Sequence, residues 1–167
     1  MDLINALLFV IPAYFANSAP VLARGKTPLD LGSKLKTNRV FGKSKTIRGA
    51  VVGILAGTII GLLLAQTPYY FPSSSQKILI AFATSTGAII GDLAGSFLKR
   101  RLKLKSGSPT FLLDQLPFLY LAIIAASLIQ TLGLDFADVA FLTVLTLVLH
   151  PASNAIAHWL GLKSVPW

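Results

Sequence analysis

The sequence contains no cysteine and no glutamate, and each absence narrows the chemistry that the chain can perform. Without cysteine, disulfide bonds and thiolate metal sites are excluded. All carboxylate chemistry by side chains therefore depends on six aspartates among 167 residues. They are Asp2, Asp30, Asp92, Asp114, Asp135 and Asp138.

Basic and apolar residues are abundant instead. Lysine and arginine number 15 against 6 acids, for a formal net charge of +9, and 54% of the chain is hydrophobic, with a mean hydropathy of +0.71. The apolar residues form long runs, so the composition predicts an all-α, polytopic integral membrane protein with a single transmembrane domain over residues 1–167. The start of the chain lacks the basic region of a cleavable signal peptide, so we expect the first apolar run to remain as a span.

About five transmembrane helices are predicted from the apolar runs. They cover about Leu3–Leu22, Ile47–Gln66, Ile78–Leu98, Pro117–Leu134 and Phe136–Leu160, the last two separated by a tight turn around Gly133 and Asp135. Basic residues concentrate in the first and third connections, at about residues 23–46 and 99–116. By the positive-inside rule these two loops are cytoplasmic, which places the N-terminus outside and the C-terminus inside a plasma membrane.

Asp92 lies within the third apolar run, where a carboxylate is costly and is a functional-site hypothesis by default. Ser96 and Lys99 follow at i+4 and i+7, so they share its helix face. The alternative is a structural role, in which Asp92 forms an ion pair with Lys99 or with a basic residue of the first loop.

Glycine recurs every four residues in two of the spans. The second span contains Gly49, Gly53, Gly57 and Gly61, and the third contains Gly87, Gly91 and Gly95. Such stripes let helix backbones approach closely in lipid. They predict close helix packing, either inside a compact bundle or at the seam of a homodimer.

His150, Asn154 and His158 share one face of the last span, at i, i+4 and i+8. A metal site is one interpretation, but no aspartate shares the stripe, and hydrogen bonding between helices is the better-supported hypothesis. Pro151 is expected to break or kink this helix directly after His150.

The segment Phe41–Gly49 combines a glycine-containing turn, three cations and the start of a helix. It is not a P-loop, because the glycine required five positions before Gly42 is replaced by Thr37. Free backbone N–H groups at a helix start suit a phosphate, although a solvated basic loop explains the same pattern.

Asp30, Asp92 and Asp114 accompany the basic loops in this topology. A pair of carboxylates beside many lysines and arginines has the composition of a magnesium–phosphate site. Mg²⁺ takes one or two carboxylates and completes its shell with water and phosphate oxygens. Asp114 also has a structural interpretation, as the cap of the fourth span with Pro117 in the first helical turn.

Several short segments resemble a known family. Gly91-Asp92, Ser96, Lys99-Arg100 and Lys105 are similar to the cytidylyltransferase signature of the CDP-diacylglycerol synthases. The chain resembles their archaeal relatives, the CDP-archaeol synthases, more closely, since Ser106 stands where the bacterial and eukaryotic signature has an acid. The further segments that carry this resemblance are Asn17-Ser18-Ala19-Pro20, Thr27-Pro28-Leu29-Asp30, Phe41–Gly49, Leu113-Asp114-Gln115-Leu116 and Leu160–Trp167.

The resemblance implies a reaction, its substrates and residue roles. CTP and an unsaturated di-geranylgeranyl glycerol phosphate would give CDP-archaeol and pyrophosphate, with Mg²⁺ as cofactor and with no nucleic acid as partner. It further implies that Asp92 and Asp114 bind Mg²⁺, with Ser96 and Lys99 around the same site. The residues expected to contact the nucleotide, the lipid head or the metal shell are Asn17, Arg39, Gly42, Lys43, Lys45, Thr46, Arg48 and Arg100.

Three other functions compete with this one. A CDP-alcohol phosphotransferase needs a cluster of aspartates on two helical turns, and no second aspartate lies within two turns of Asp92. A non-catalytic anion transporter or channel with a basic cytoplasmic vestibule predicts flux without CTP turnover. A membrane anchor whose basic loops bind anionic lipid or RNA predicts no requirement for Asp92 or Asp114.

Overall fold

The computed structural model describes residues 3–35, 38–67, 76–104 and 108–166. Lys105, Ser106 and Trp167, which were named above for the family resemblance, lie outside the described residues. The helices are α1 (Leu3–Ser18), α2 (Pro20–Ala23), α3 (Ile47–Leu64), α4 (Lys77–Arg101), α5 (Pro117–Ser127) and α6 (Phe136–Trp159). Two short strands, β1 (Lys34–Leu35) and β2 (Asn38–Arg39), pair antiparallel in the first loop.

Within the described ranges, four helical segments are long and apolar enough to cross a membrane. They are α1 together with the single turn of α2, then α3, α4 and α6. These segments confirm four of the predicted spans. The helix α4 continues beyond the predicted end at Leu98 and carries three basic residues in its last turn.

The remaining predicted span is a shorter helix than the apolar run suggests. The helix α5 has 11 residues and ends at Ser127, so it measures about 16 Å at 1.5 Å per residue, whereas the apolar run continues to Leu134. The N–H of Ile129 bonds to the carbonyl of Ala126, three residues back, and this tighter turn ends the helix. Hydropathy does not detect the end because the following segment stays apolar, with Leu132 buried in the core.

Both glycine stripes are buried inside the chain. A β-carbon at Gly57 of α3 would overlap the carbonyl oxygen of Pro12 in α1. A β-carbon at Gly91 of α4 would overlap the carbonyl oxygen of Pro117 at the start of α5. The compact-bundle interpretation is therefore correct, and these two stripes are not available as the seam of a homodimer.

The helix α6 lies on the outside of the bundle and begins with a capping box. The Asp138 N–H donates to the Asp135 carboxylate at 2.8 Å, and the Asp135 N–H donates to the Asp138 carboxylate at 3.1 Å. A hydrogen bond of 2.7 Å between the hydroxyls of Tyr14 and Thr146 ties α6 to α1. The predicted turn before α6 is confirmed, since Gly133 has a φ of +65°.

The helix α6 continues through Pro151 to Trp159, so of the predicted break or kink after His150 the break does not occur, and the kink stays a prediction. Proline removes one backbone hydrogen bond and crowds the preceding turn. Helices in lipid tolerate this loss because neighbouring groups and local adjustments satisfy the freed carbonyl.

Candidate functional site

The first basic loop is folded around the carboxylate of Asp30, whose side chain is 1% exposed. It accepts hydrogen bonds from the Arg39 guanidinium at 2.7 Å and from the backbone N–H groups of Gly32, Phe41 and Gly42 at 3.1, 3.2 and 3.3 Å. Burial alone raises the pKa of Asp30, but these four bonds outweigh it and hold the pKa below its usual value. The side chain of Arg39 and the backbone of Gly42, both predicted to contact nucleotide, are therefore bound to Asp30 in this structure.

Asp92 forms an ion pair with a lysine of the first loop. The Lys45 ammonium donates to its two carboxylate oxygens at 2.7 and 2.6 Å, and the side chains of Lys45 and Asp92 are 27% and 25% exposed. The backbone places Lys45 there, because its carbonyl accepts from Leu29 N–H and the next residue, Thr46, pairs antiparallel with Pro28. Of the two ion-pair partners considered from the sequence, the first loop supplies the one observed.

Asp114 forms a second ion pair, with Lys99 of α4. The Lys99 ammonium donates to the two carboxylate oxygens at 2.7 and 3.0 Å and to the carbonyl of Ser108 at 2.7 Å. The N–H of Thr110 also donates to Asp114, at 2.9 Å. Asp114 is therefore not the cap of α5, whose N-cap is Leu116 and has no side-chain cap bond.

The two ion pairs lie at the same end of the bundle. Asp92 and Lys99 are seven residues apart and so share one face of α4, about 10 Å apart along its axis. The segment carrying Asp114 reaches this end because Gly91 and Gly95 leave room for it: β-carbons there would overlap the carbonyl oxygens of Pro117 and Leu113. The glycines of α4 thus determine how closely the segment that carries Asp114 can approach α4.

The hairpin β1–β2 brings the first basic loop against the end of α4. The Asn38 amide donates to the carbonyl of Arg100 at 3.3 Å, and Arg100 itself is buried. The Arg101 guanidinium donates to the carbonyls of Leu35 and Arg39 at 2.8 and 2.9 Å and lies over the ring of Phe97. Both basic loops therefore meet beside the two carboxylate–lysine pairs.

The other predicted site residues occupy the surroundings of this centre. Thr46 is the N-cap of α3 and accepts from the Gly49 N–H at 3.1 Å. Arg48 is exposed and lines an open cavity of about 510 Å³ with Arg24, Lys26, Thr27, Ile47, Val51 and Val52. Lys43 is exposed, Ser96 is half-buried one turn beyond Asp92, and Asn17 is half-buried in the last turn of α1.

The donor set fits a magnesium ion. Among residues 3–35, 38–67, 76–104 and 108–166 there is no cluster of three or more His, Cys, Asp or Glu side chains, so a fully protein-ligated site of the zinc type is not formed there. Mg²⁺ needs only one or two carboxylates besides water and phosphate oxygens. Asp92 and Asp114 are partly exposed and each faces an ammonium group, so both already accept a cation as partner.

Two features of the site were not anticipated from the sequence. From the sequence, Asp30 is grouped with the carboxylates of the basic loops and is assigned no role, although a single acid among eight lysines and arginines indicates a residue that anchors the loop. The stripe on α6 was expected to bond between helices. Instead Asn154 bonds to His150 of its own helix at 3.4 Å and to Lys163 of the tail at 3.0 Å.

Comparisons with known proteins agree with one another. A family model described as CarS-like, CDP-archaeol synthase, matches residues 1–167. CDP-archaeol synthase of Thermococcus onnurineus is 44% identical over 168 residues, which cover 99% of this chain and 98% of that protein. CDP-archaeol synthase of Pyrococcus furiosus is 41% identical over 166 residues, again covering 99% of this chain and 98% of that protein.

A solved structure shows the same fold. It is described as an intramembrane enzyme for archaeal membrane lipid biosynthesis and matches with a TM-score of 0.84 at 34% identity. The match covers 92% of this chain and 94% of that chain.

Proposed function

The chain belongs to the CDP-archaeol synthase family and is a CTP-dependent cytidylyltransferase, and we propose that it transfers CMP from CTP to an unsaturated di-geranylgeranyl glycerol phosphate. The products are CDP-archaeol and pyrophosphate, so the enzyme acts in the synthesis of archaeal ether lipids. Family membership decides against the transporter, the membrane anchor and the CDP-alcohol phosphotransferase that the sequence left as alternatives.

The observation that supports the site is the pair of carboxylate–lysine contacts, Asp92 with Lys45 and Asp114 with Lys99. Each lysine now neutralises a carboxylate. We propose that both partners exchange when substrates bind: the carboxylates turn to Mg²⁺ and the ammonium groups turn to the phosphates. Exchange is favoured by the partial exposure of Asp92, Asp114 and Lys45, at 25%, 34% and 27%, whereas the Lys99 side chain is 9% exposed and would release Asp114 with little movement of its own.

The chemistry needs little beyond alignment and charge neutralisation. An oxygen of the lipid phosphate attacks the α-phosphorus of CTP, and the bond from that phosphorus to the β-phosphate oxygen breaks. The attacking phosphate is already anionic, so no side chain has to remove a proton. Bound Mg²⁺ would supply positive charge at the phosphate oxygens, and Lys45 and Lys99 would counter the charge on the leaving pyrophosphate.

The remaining predicted residues act around this centre in the proposal. The exposed Lys43 and Arg48 face the triphosphate, with Thr46 between them in the chain, and the buried Arg100 adds positive charge at the end of α4. Ser96 and Asn17 offer polar groups at the membrane side. Arg39 and Gly42 contribute indirectly, by holding the loop on Asp30.

The prenyl chains require an apolar surface beside the carboxylates. A groove of about 260 Å³ lies between α4 and α5 and is almost wholly apolar. It is lined by Ala94, Gly95, Leu98, Pro117, Tyr120 and Leu121. The groove adjoins the proposed site, because its lining residue Gly95 precedes Ser96 and its lining residue Pro117 follows Asp114 by three residues. We therefore propose that a prenyl chain enters sideways from the bilayer through this groove.

The site is proposed to face the cytoplasm of the plasma membrane, with the N-terminus outside. The described lysines and arginines of the first and third connections lie at this end of the bundle, and the positive-inside rule predicts that such an end is cytoplasmic. Because the chain has no cysteine, a single introduced cysteine reports on which side of the membrane its position lies. We expect a membrane-impermeant thiol reagent added to intact cells to label Gln66→Cys and not Ser33→Cys; the reverse pattern would invert the orientation.

The reaction is tested by turnover of the purified full-length protein. The assay contains labelled CTP and Mg²⁺ with either the prenylated glycerol phosphate or a diacyl glycerol phosphate, and it measures pyrophosphate and labelled lipid. We expect both products with the prenylated substrate and none without Mg²⁺. Absence of turnover with both lipid phosphates would refute the proposed reaction.

A further inference from the structure

The C-terminal tail folds back onto α6 after Trp159. Gly161 adopts a φ of +70°, and its N–H bonds to the carbonyl of His158 at 2.9 Å. The N–H groups of Leu162 and Lys163 then turn to the carbonyl of Ala157, at 2.9 and 3.3 Å. This is a helix stop that needs glycine, and it fixes the direction in which residue 163 leaves the helix.

Two hydrogen bonds hold Lys163 in place. Its ammonium donates to the amide oxygen of Asn154 at 3.0 Å, and its carbonyl lies 3.0 Å from Nδ1 of His158. The Asn154 amide nitrogen lies 3.4 Å from Nδ1 of His150. His150, Asn154 and Lys163 therefore form a polar column along one face of α6, at the end that carries the two ion pairs.

The column is packed against the elements that carry the carboxylates. The ring of His150 lies 5.9 Å from the ring of Phe118, centroid to centroid. The Phe118 backbone in turn lies against Gly91, the residue before Asp92. The half-buried Lys163 interacts electrostatically with the two ion pairs. Burial lowers its pKa, the charge of Lys45 lowers it further, and the charges of Asp114 and Asp92 raise it in part.

We propose that Lys163 is a substrate-binding lysine of the active site, contributed by the tail, whose ammonium binds a substrate phosphate. This inference rests on the proposed function. The two ion pairs of the centre each sum to zero charge, whereas CTP and the lipid phosphate bring several negative charges together. A third cation beside Asp92 and Asp114 reduces the electrostatic repulsion between these negative charges.

The competing interpretation is that Lys163 only fastens the tail to α6. In that case its amine would react with reagents to the same extent whether substrates are present or absent. The Lys163→Ala substitution would then lower stability without changing the apparent affinity for either substrate.

Protection from chemical labelling separates the two interpretations in the unaltered protein. The lowered pKa makes Lys163 reactive toward an amine reagent at a lower pH than the usual pKa of lysine would allow. Lys103, an exposed lysine after α4, is the reference residue. Labelling is measured by peptide mass spectrometry with no substrate, with CTP and Mg²⁺, or with the lipid phosphate alone. We expect at least one substrate to protect Lys163 while Lys103 stays labelled; the arm that protects identifies which phosphate is bound. Unchanged labelling in both arms would overturn the inference.

Kinetics provide the second measurement. We expect Lys163→Ala to raise the KM for the protecting substrate about ten- to a hundred-fold, because a charge-assisted contact to phosphate is lost. Lys163→Arg should recover part of this loss, and Lys103→Ala, which removes the same charge, should match the unaltered enzyme. Equal KM values for Lys163→Ala and Lys103→Ala would overturn the inference while leaving the proposed function intact. Only absence of turnover by the unaltered enzyme contradicts the function itself.

Discussion

Three carboxylates lie at the same polar end of the molecule, those of Asp30, Asp92 and Asp114. They differ in their burial and in the groups that donate hydrogen bonds to them. The Asp30 side chain is 1% exposed and accepts from one guanidinium and three backbone N–H groups. Asp92 and Asp114 are 25% and 34% exposed. Asp92 accepts from Lys45, and Asp114 accepts from Lys99 and from one backbone N–H, that of Thr110.

The difference separates the folding role of Asp30 from the catalytic role that we propose for Asp92 and Asp114. A carboxylate bound by several fixed backbone donors cannot leave them without unfolding the loop. A carboxylate held by one lysine, with at most one backbone N–H beside it, can release that lysine to a phosphate and take a metal instead. The number and kind of donors, rather than the presence of a carboxylate, therefore distinguishes Asp30 from the proposed metal ligands.

The largest expected effect comes from neutralising either proposed metal ligand. We expect Asp92→Asn and Asp114→Asn each to lower turnover on the order of a hundred- to a thousand-fold, because charge at the transferring phosphoryl group is no longer countered. Both variants should elute like the unaltered protein, since the side chains keep their size. Asp114→Asn should melt at a somewhat lower temperature, because it leaves the buried Lys99 ammonium without its counter-charge. An Asp92→Asn enzyme that retained a tenth of the turnover would remove Asp92 from the metal site.

Neutralising Asp30 should instead act on stability. We expect Asp30→Asn to lower the free energy of unfolding by about 2 kcal/mol, since hydrogen bonds to a charged acceptor are lost. The ionised form of Asp30 is favoured by folding, so its contribution is present above the usual pKa of the carboxyl group and is lost as the pH falls through the lowered folded value.

Thermal unfolding in detergent at pH 7 and at pH 3 measures this contribution. The matched control is Asp135→Asn, because asparagine also caps a helix well and should change stability little. Equal melting temperatures for Asp30→Asn and the unaltered protein at pH 7 would contradict the folding role.

An intermediate effect is expected at Lys45. Its ammonium is proposed to leave Asp92 for the triphosphate, so Lys45→Ala should raise the KM for CTP about tenfold, the cost of one charged contact. The KM for the lipid phosphate should change less. Lys34→Ala, at an exposed lysine of the same loop, is the control. If both variants gave the same KM for CTP, Lys45 would lie outside the nucleotide site.

The smallest effect is expected at Thr46, where capping and phosphate binding can be separated. Thr46→Ala should cost about 1 kcal/mol of stability, the usual loss on removing a cap, whereas Thr46→Ser keeps the hydroxyl that accepts from Gly49. If Thr46 also contacts CTP, Thr46→Ala should raise the KM for CTP more than the loss of stability alone explains. Melting curves and CTP titrations of the two variants make the distinction.

Patterns that depend on neighbouring residues were predictable from the sequence. The long spans follow from hydropathy, and the close packing of α3 and α4 follows from glycine at every fourth position. The pairing of Asp92 with a cation was foreseeable, because a carboxylate at that depth needs a partner. The end of α5 at Ser127 was not, since the apolar run continues beyond it.

Contacts between distant segments could not be predicted in the same way. The sequence showed that Asp30, Asp92 and Asp114 accompany basic residues, but not which cation each one contacts. It identified the polar stripe on α6 and not its partner, because the tail reaches Asn154 only through the turn at Gly161.

By itself, the sequence determined that this protein spans the membrane, with a basic, carboxylate-containing end suited to magnesium and phosphates, because these properties depend on composition and periodicity. Only the tertiary structure decided that Asp30 folds the loop, that Asp92 and Asp114 are paired with Lys45 and Lys99, and that Lys163 is held against α6. The physical reason is that the role of a charge depends on its burial and on its donors, and those donors come from segments far apart in the chain.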